Sequence, residues 1–209
     1  MLNLKTESKY FGLGYNLVAG VDEAGRGPLA GPVVAAAVVI GPDFQINDDD
    51  LALINDSKQL TAKRREHLFG VIKAKARAVA IGVCDNRTID KINILQASFL
   101  AMRRALKALP LEPDFIILDG RFKIPKLTTP QTAIIKGDSK VWAVAAASII
   151  AKVSRDWIIT ELDKEYPAYG FAQHKGYGTK LHLAKLTEHG PCPIHRFSFA
   201  PVREAAKNK

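Results

Sequence analysis

Two adjacent carboxylates, Asp22 and Glu23, interrupt the most apolar part of the chain. A short run of small apolar residues precedes them, and a glycine-rich turn and a second apolar run follow. Short apolar runs bounded by Gly and Pro predict buried strands, which we place over 17–24 and 32–40. Acids are rarely buried unless they are paired or bind metal. The stretch therefore indicates either a metal site or a solvated strand end.

The size and charge of the chain narrow the class of protein. With 209 residues, 47% of them hydrophobic, we expect one domain over 1–209 with a flexible tail over 200–209. No apolar run is long enough to cross a membrane, and residues 1–15 lack the apolar centre of a secretory signal. Two distant cysteines, Cys84 and Cys192, indicate reduced thiols and a cytoplasmic protein. A formal net charge of +9 favours a polyanionic partner such as nucleic acid.

Hydrophobic periodicity predicts an α/β fold. A third strand over 78–84 gives three strands with short links, which is typical of an antiparallel meander. An amphipathic helix over 92–109 then leads to a buried strand over 114–120, which indicates a parallel crossover. The remaining predicted elements are helices over 62–74, 140–162 and 179–188 and a strand over 132–135.

Two further acids stand beside glycine turns: Asp119 ends a predicted strand, and Asp138 precedes the long helix. Taken singly, each also fits an ordinary turn or helix cap. Because ligands gather at the carboxyl ends of strands in such sheets, we expect these acids to meet Asp22 and Glu23. Converging carboxylates favour Mg²⁺ or Mn²⁺, and two such ions about 4 Å apart hold the attacking and leaving oxygens of a phosphodiester.

Glu23 poses a geometric difficulty for this prediction. Neighbouring residues of a strand point to opposite faces, so Asp22 and Glu23 cannot both face the same ions from a regular strand. Either the strand breaks at Glu23, or Glu23 contributes a backbone carbonyl or a contact outside the ligand shell.

Two other local patterns are open to more than one interpretation. Tyr177 stands between two glycines in a polar loop, which favours stacking on a sugar or base, or a role as a loop anchor. Cys192 and His195 have a zinc-like spacing but lack a second ligand pair, and we interpret them as structural.

Several motifs occur in a characteristic order along the chain. They are Gly20-Val21-Asp22-Glu23-Ala24-Gly25-Arg26-Gly27-Pro28, Asn55-Asp56-Ser57-Lys58, Ile117-Leu118-Asp119-Gly120, Lys136-Gly137-Asp138-Ser139, Ala147-Ser148-Ile149-Ile150-Ala151-Lys152-Val153 with Arg155-Asp156, and His174-Lys175-Gly176-Tyr177-Gly178-Thr179. Together they resemble the bacterial ribonuclease HII family. The resemblance implies a ribonuclease H-like fold: a mixed sheet of five strands, three antiparallel and then parallel ones, flanked by helices, with a small helical C-terminal region.

The resemblance also implies an activity and a site. The activity is cleavage of the RNA strand of RNA–DNA hybrids, and of duplex DNA at single ribonucleotides, leaving 3′-hydroxyl and 5′-phosphate ends. The implied catalytic and metal-binding residues, which would hold two ions of Mn²⁺ or Mg²⁺ during catalysis, are Asp22, Glu23, Asp119 and Asp138. The implied substrate-binding residues are Gly25, Arg26 and Gly27 at the ribonucleotide 2′-hydroxyl, Tyr177 on the following deoxyribose, and Ser57, Lys58, Ser148 and Lys152 at backbone phosphates. Arg26 separates this pattern from the sibling ribonuclease HIII.

Two alternatives from other classes remain open at this point. A non-catalytic hybrid-binding protein would show steep salt dependence and no metal-dependent turnover. A DNA nuclease or recombinase on the same fold would ignore the 2′-hydroxyl. We expect a monomer with no membrane contact, and the sequence identifies no protein partner.

Overall fold

The computed structural model describes residues 2–47, 49–55, 57 and 60–207. Five strands form one mixed sheet: β1 Val18–Ala24, β2 Val33–Ile40, β3 Ala78–Cys84, β4 Phe115–Asp119 and β5 Gln131–Ile134. Their order across the sheet is β3-β2-β1-β4-β5. The first three pair antiparallel, whereas β4 runs parallel to β1 and to β5. The predicted α/β architecture, with a meander followed by a crossover, is confirmed.

Helices cover both faces of the sheet. They are α1 Lys5–Phe11, α2 Asp49–Ala52, α3 Ala62–Lys75, α4 Asn86–Ile92, α5 Ile94–Lys107, α6 Trp142–Glu165, α7 Phe171–His174, α8 Lys180–His189 and α9 Ala200–Lys207. The helix predicted over 92–109 is in fact interrupted at Asn93, whose φ of 65° is incompatible with a continuous helix. The Asn93 side chain instead accepts hydrogen bonds from the first turn of α5. Within the described ranges, no helix has the length and apolarity that a membrane crossing requires.

The alternation of β1 determines which helix each of its side chains meets. Ala19 and Val21 pack into the cluster that contains the buried face of α5. Gly20 faces α6 so closely that a Cβ there would overlap the backbone of Ala143. Because successive residues point to opposite faces, Asp22 lies on the α6 side of the sheet and Glu23 on the α5 side.

The N-terminus of α6 is capped by a residue that is distant in sequence. Val141 precedes this helix and offers no side-chain cap. The buried carboxylate of Glu7, on α1, instead accepts a hydrogen bond of 2.9 Å from the backbone N–H of Ala143. Burial raises the pKa of Glu7, and the backbone hydrogen bonds oppose that rise. Glu7 thus fixes the start of the helix that carries several of the predicted site residues.

The C-terminal segment differs from the flexible tail that the sequence predicts. Residues 200–207 form α9, and Val202 is completely buried against Leu29 and Leu186. One apolar residue per turn is enough to dock a short helix on an existing core. The last two residues of the predicted tail lie outside the described part of the chain.

Candidate active site

A cavity of about 400 Å³ opens where β1 and β4 end. It brings together most of the predicted site residues, although they are far apart in the sequence. The lining residues are Asp22, Glu23, Ala24, Gly25, Arg26, Gly27, Ser57, Asp119, Ser148, Lys152 and Tyr177. The parallel pairing of β1 with β4 places their carboxyl ends side by side, as the sequence analysis expected.

Three carboxylates converge at this cavity. One oxygen from each of Asp22, Asp119 and Asp138 lies within 4.8 Å of the other two. Asp138 lies in a 3₁₀ turn, Gly137–Ser139, and the backbone N–H of Gly137 donates a 2.7 Å hydrogen bond to Asp119. That bond fixes the turn to the end of β4. A cluster of hard oxygen donors at this spacing suits a divalent cation such as Mg²⁺ or Mn²⁺.

The electrostatics of Asp22 fit the same interpretation. Burial raises the pKa of Asp22 well above its usual range, and repulsion from Glu23 and Asp119 raises it further. A hydrogen bond with Ser148 and one of 2.7 Å from the backbone N–H of Glu23 oppose this rise. The protein alone thus leaves Asp22 in an environment that disfavours its ionised form, and a bound cation would offset that penalty.

Glu23 lies in the same cavity but outside the group of three. β1 remains regular through Ala24, with Glu23 paired to Ala35, so the alternative in which the strand breaks at Glu23 is wrong. The Glu23 carboxylate accepts a 3.2 Å hydrogen bond from Arg26. Burial raises the pKa of Glu23, and Arg26 lowers it. Its role as a metal ligand stays a prediction.

The glycine turn and Tyr177 face each other across the cavity. Gly25 has a φ of +99°, which favours glycine, and a Cβ built on Gly27 would be 3.9 Å from the Tyr177 ring. The tyrosine side of the cavity also carries positive charge: Lys152 Nζ lies 5.6 Å from the centroid of that ring. Tyr177 is 42% exposed, so part of this aromatic side chain is accessible to a ligand.

The structure describes three of the four residues predicted to contact phosphates, and their surroundings differ. Ser57 and Ser148 are buried, and their hydroxyl oxygens lie 2.9 Å apart in a hydrogen bond. Lys152 donates a 2.8 Å hydrogen bond to Asp156 one turn further along α6. The fourth residue, Lys58, lies outside the described residues. The three described residues all line the cavity, which is where a bound strand would pass.

The structure adds two residues to which the sequence analysis assigned no role. Arg155 and Arg196 are completely buried beneath the glycine turn, and both donate hydrogen bonds to backbone carbonyls. Arginine is mostly exposed in proteins, so composition alone predicts the opposite. The sequence feature that could have placed Arg155 near the site is its spacing, because Arg155 is seven residues after Ser148 and thus on the same face of α6.

Cys192 and His195 contact each other rather than a shared ligand set. The Cys192 sulfur lies 3.1 Å from His195 Nδ1, and both residues are buried. His195 Nε2 is 3.0 Å from His182 Nε2. Burial, together with repulsion from His182, lowers the pKa of His195 to about 4. Neutral histidines here serve as hydrogen-bonding members of the C-terminal core.

Comparison with known proteins agrees with this geometry. Residues 19–202 match the family described as ribonuclease HII. The ribonuclease HII of Geotalea daltonii is 52% identical over 195 residues, which is 93% of this chain and 88% of that protein. The crystal structure of ribonuclease H2 from Pyrococcus horikoshii is similar with a TM-score of 0.75 and 31% identity, covering 92% of this chain and 98% of that one. The structure of Bst-RNase HIII in complex with Mn²⁺ has a TM-score of 0.71 at 21% identity, covering 93% and 71% of the two chains, and supports the fold.

The sheet topology and the clustered carboxylates fit the ribonuclease H-like fold, and together with the ribonuclease HII relatives they define an endoribonuclease of the ribonuclease H class. Within that class, the family match over nearly the whole length of the chain identifies the family. The chain belongs to the ribonuclease HII family.

Proposed function

We propose that this enzyme cuts the RNA strand of RNA–DNA hybrids and also cuts duplex DNA at a single embedded ribonucleotide, leaving 3′-hydroxyl and 5′-phosphate ends. One observation carries the proposal: two of the three clustered carboxylates, Asp22 and Asp119, line the same cavity as a glycine turn that faces an exposed tyrosine. The carboxylates suit phosphodiester chemistry. The turn and the tyrosine suit recognition of one sugar, since the 2′-hydroxyl is the group that separates RNA from DNA.

We also propose that the site works with divalent cations, Mn²⁺ or Mg²⁺, and that two ions take part. Asp22, Asp119 and Asp138 would hold them, with Glu23 completing the site from the other face of β1. When bound, such ions supply an activated water and neutralise the charge that develops on the phosphate. The disfavoured ionisation of Asp22 supports a cation at this place. The complex of the related-fold Bst-RNase HIII with Mn²⁺ agrees with the choice of metal.

The remaining residues would bind and orient the substrate. The backbone of Gly25, Arg26 and Gly27 would meet the 2′-hydroxyl, since glycine allows a ligand to approach the main chain closely. Tyr177 would stack on the next deoxyribose, and its accessible side chain supports this role. The proposed phosphate contacts are Ser57, Lys58, Ser148 and Lys152.

The test uses three duplexes of one sequence: all-DNA, DNA with one ribonucleotide, and an RNA–DNA hybrid. With Mn²⁺ or Mg²⁺, we expect cleavage of the last two and none of the first. Asp119→Asn should abolish cleavage and leave folding intact, because asparagine still accepts the hydrogen bond from Gly137. Asp85→Asn is the matched control, since one oxygen of Asp85 accepts a backbone hydrogen bond from Thr88 and Asp85 is not part of the carboxylate cluster. Equal cleavage of the all-DNA duplex, or none of any duplex, would contradict the proposal.

We further propose that the protein acts as a monomer in the cytoplasm, as one domain. Both described cysteines are free thiols and buried, which supports a reducing compartment. Size-exclusion chromatography with light scattering tests the oligomeric state, and a dimer at micromolar concentration would contradict this proposal.

A further inference from the structure

Arg155 and Arg196 lie beneath the cavity with fully buried side chains, and the proposed chemistry does not use either of them. Arg155 belongs to α6, and Arg196 comes from the segment between α8 and α9. A buried guanidinium is costly unless its five N–H groups find acceptors. The identity of those acceptors therefore indicates what each arginine holds in place.

Arg196 holds the glycine turn from below. Its guanidinium donates hydrogen bonds to the carbonyl oxygens of Gly25 at 2.6 Å, Arg26 at 3.0 Å, Gly31 at 3.0 Å and Pro32 at 3.1 Å. One planar side chain thus hydrogen-bonds to both ends of the turn. A lysine, with a single nitrogen, cannot reproduce this fork of donors.

These bonds determine where the amide groups of the turn point. In a trans peptide the C=O and the next N–H point in opposite directions, and the described chain has no cis peptide bond. The carbonyls of Gly25 and Arg26 are turned inward onto Arg196. The N–H groups of Arg26 and Gly27 are consequently turned away from Arg196, toward the side where these residues line the cavity. Two adjacent donors facing one way form a small anion- or hydroxyl-binding nest.

Arg155 joins the same turn to the loop that carries Tyr177. It donates to Pro32 at 3.0 Å and Ala30 at 3.2 Å, and to Lys175, two residues before the tyrosine, at 3.0 Å. Its guanidinium carbon also lies 5.8 Å from the centroid of the Tyr177 ring. A single buried side chain therefore sets the distance between the two walls of the cavity.

We propose that Arg196 and Arg155 are positioning residues that determine selectivity for a ribonucleotide. Arg196 aims the two amide donors of the turn, and Arg155 fixes the loop that carries Tyr177 relative to them. The inference rests on the proposed function of the turn and of Tyr177. It assigns the two arginines to the recognition of the 2′-hydroxyl rather than to general duplex affinity.

The experiment compares Arg196→Gln, Arg196→Lys and Arg155→Lys with the wild type in Mn²⁺. Single-turnover cleavage of a duplex with one ribonucleotide gives a rate constant and an amplitude, and the amplitude reports the folded, active fraction. An all-DNA duplex of the same sequence serves as competitive inhibitor and reports general affinity. The matched control is Arg203→Gln, because Arg203 is an exposed arginine of α9 whose side chain donates a 3.4 Å hydrogen bond to the carbonyl of the nearby Ser198.

We expect each Arg196 and Arg155 variant to lower the rate constant by about tenfold or more, since each loses hydrogen bonds from a charged donor. The inhibition constant of the all-DNA duplex should not change, and Arg203→Gln should change neither quantity. A variant that loses amplitude but keeps its rate constant would overturn the inference, because the arginine would then act on folding alone. Parallel loss of rate and of all-DNA affinity would overturn it as well.

Two outcomes separate this inference from the function on which it rests. If the wild type fails to cut the ribonucleotide duplex, the proposed function itself has failed. If the wild type cuts and the variants keep its rate, the inference alone has failed. Where the Arg196 variants show no thermal transition, Arg155→Lys decides in the same assay, and unfolding of all three variants would assign the arginines to stability and overturn the inference.

Discussion

Asp22→Asn should stabilise the metal-free protein while it abolishes catalysis. Asp22 is buried beside two other carboxylates, so its charge is repelled in the absence of a cation. Asparagine has nearly the same shape, and its oxygen still accepts the hydrogen bond from the backbone N–H of Glu23. The substitution therefore removes the repulsion and keeps the packing.

The magnitude follows from the distance between the carboxylates. Two unit charges 4.8 Å apart repel each other by about 3.5 kcal/mol at an effective dielectric constant of about 20, and by about 0.9 kcal/mol in bulk water. We expect Asp22→Asn to raise the free energy of unfolding by about 1–3 kcal/mol at pH 7 and low salt. For a chain of this size, each kcal/mol raises the unfolding midpoint by about 2–4 °C.

The increase in the free energy of unfolding caused by Asp22→Asn should grow as the pH rises. The pKa of Asp22 is raised in the folded protein, so the folded state holds this proton over a range in which the unfolded chain has released it. The contribution of Asp22 to the stability of the metal-free wild type therefore falls as the pH rises from the unfolded pKa of 3.8 through the folded pKa. The stability difference between Asp22→Asn and the wild type should disappear toward pH 4 and reach its full value above the pKa of Asp22 in the folded protein.

Thermal unfolding in EDTA and in Mn²⁺ checks the reasoning. Saturating Mn²⁺, at about 100 times its dissociation constant, should stabilise the wild type by about 2.7 kcal/mol and the variant by much less. Asp85→Asn is the control, because hydrogen bonds with Thr88 lower the pKa of Asp85 and make its charge favourable. A lower midpoint for Asp22→Asn in EDTA, or an undiminished response to Mn²⁺, would refute the argument.

Three further predictions concern other parts of the molecule. Gly25→Ala should impair selectivity for the ribonucleotide more than affinity for the duplex. The φ of +99° disfavours any residue with a Cβ, and the added Cβ would also overlap Arg155. Competition between ribonucleotide-containing and all-DNA duplexes measures both quantities. Val202→Ala should cost about 1–3 kcal/mol in urea unfolding, whereas a frayed tail would cost nothing. The contribution of His195 to stability should fall as the pH drops from 6.5 to about 4, opposite in sign to that of Asp22, since only the unfolded chain then protonates His195. Urea unfolding of the wild type and of His195→Gln at each pH isolates this contribution as the difference between them.

Much of the fold was readable from local patterns, because strand identity depends on residues that are neighbours in the chain. The apolar runs around Asp22 predicted β1 and β2, and the helix between β3 and β4 predicted the parallel crossover. The candidate acids were recognisable too, since a carboxylate beside a glycine turn at a strand end stands out locally. The resemblance implied a small helical C-terminal region, but local patterns did not place α9 in it, because the docking of α9 depends on Leu29 and Leu186, which are remote in sequence.

Long-range geometry decided the rest. The alternation of β1 shows that Glu23 faces away from Asp22, but the partner of Glu23, Arg26, became evident only with coordinates. Likewise, nothing in the chain order indicates that Arg155 and Arg196 meet beneath one turn, because their acceptors are carbonyl groups that every residue possesses. The sequence specifies the side chains and their chemistry. The direction of each backbone carbonyl is determined only when the chain has folded.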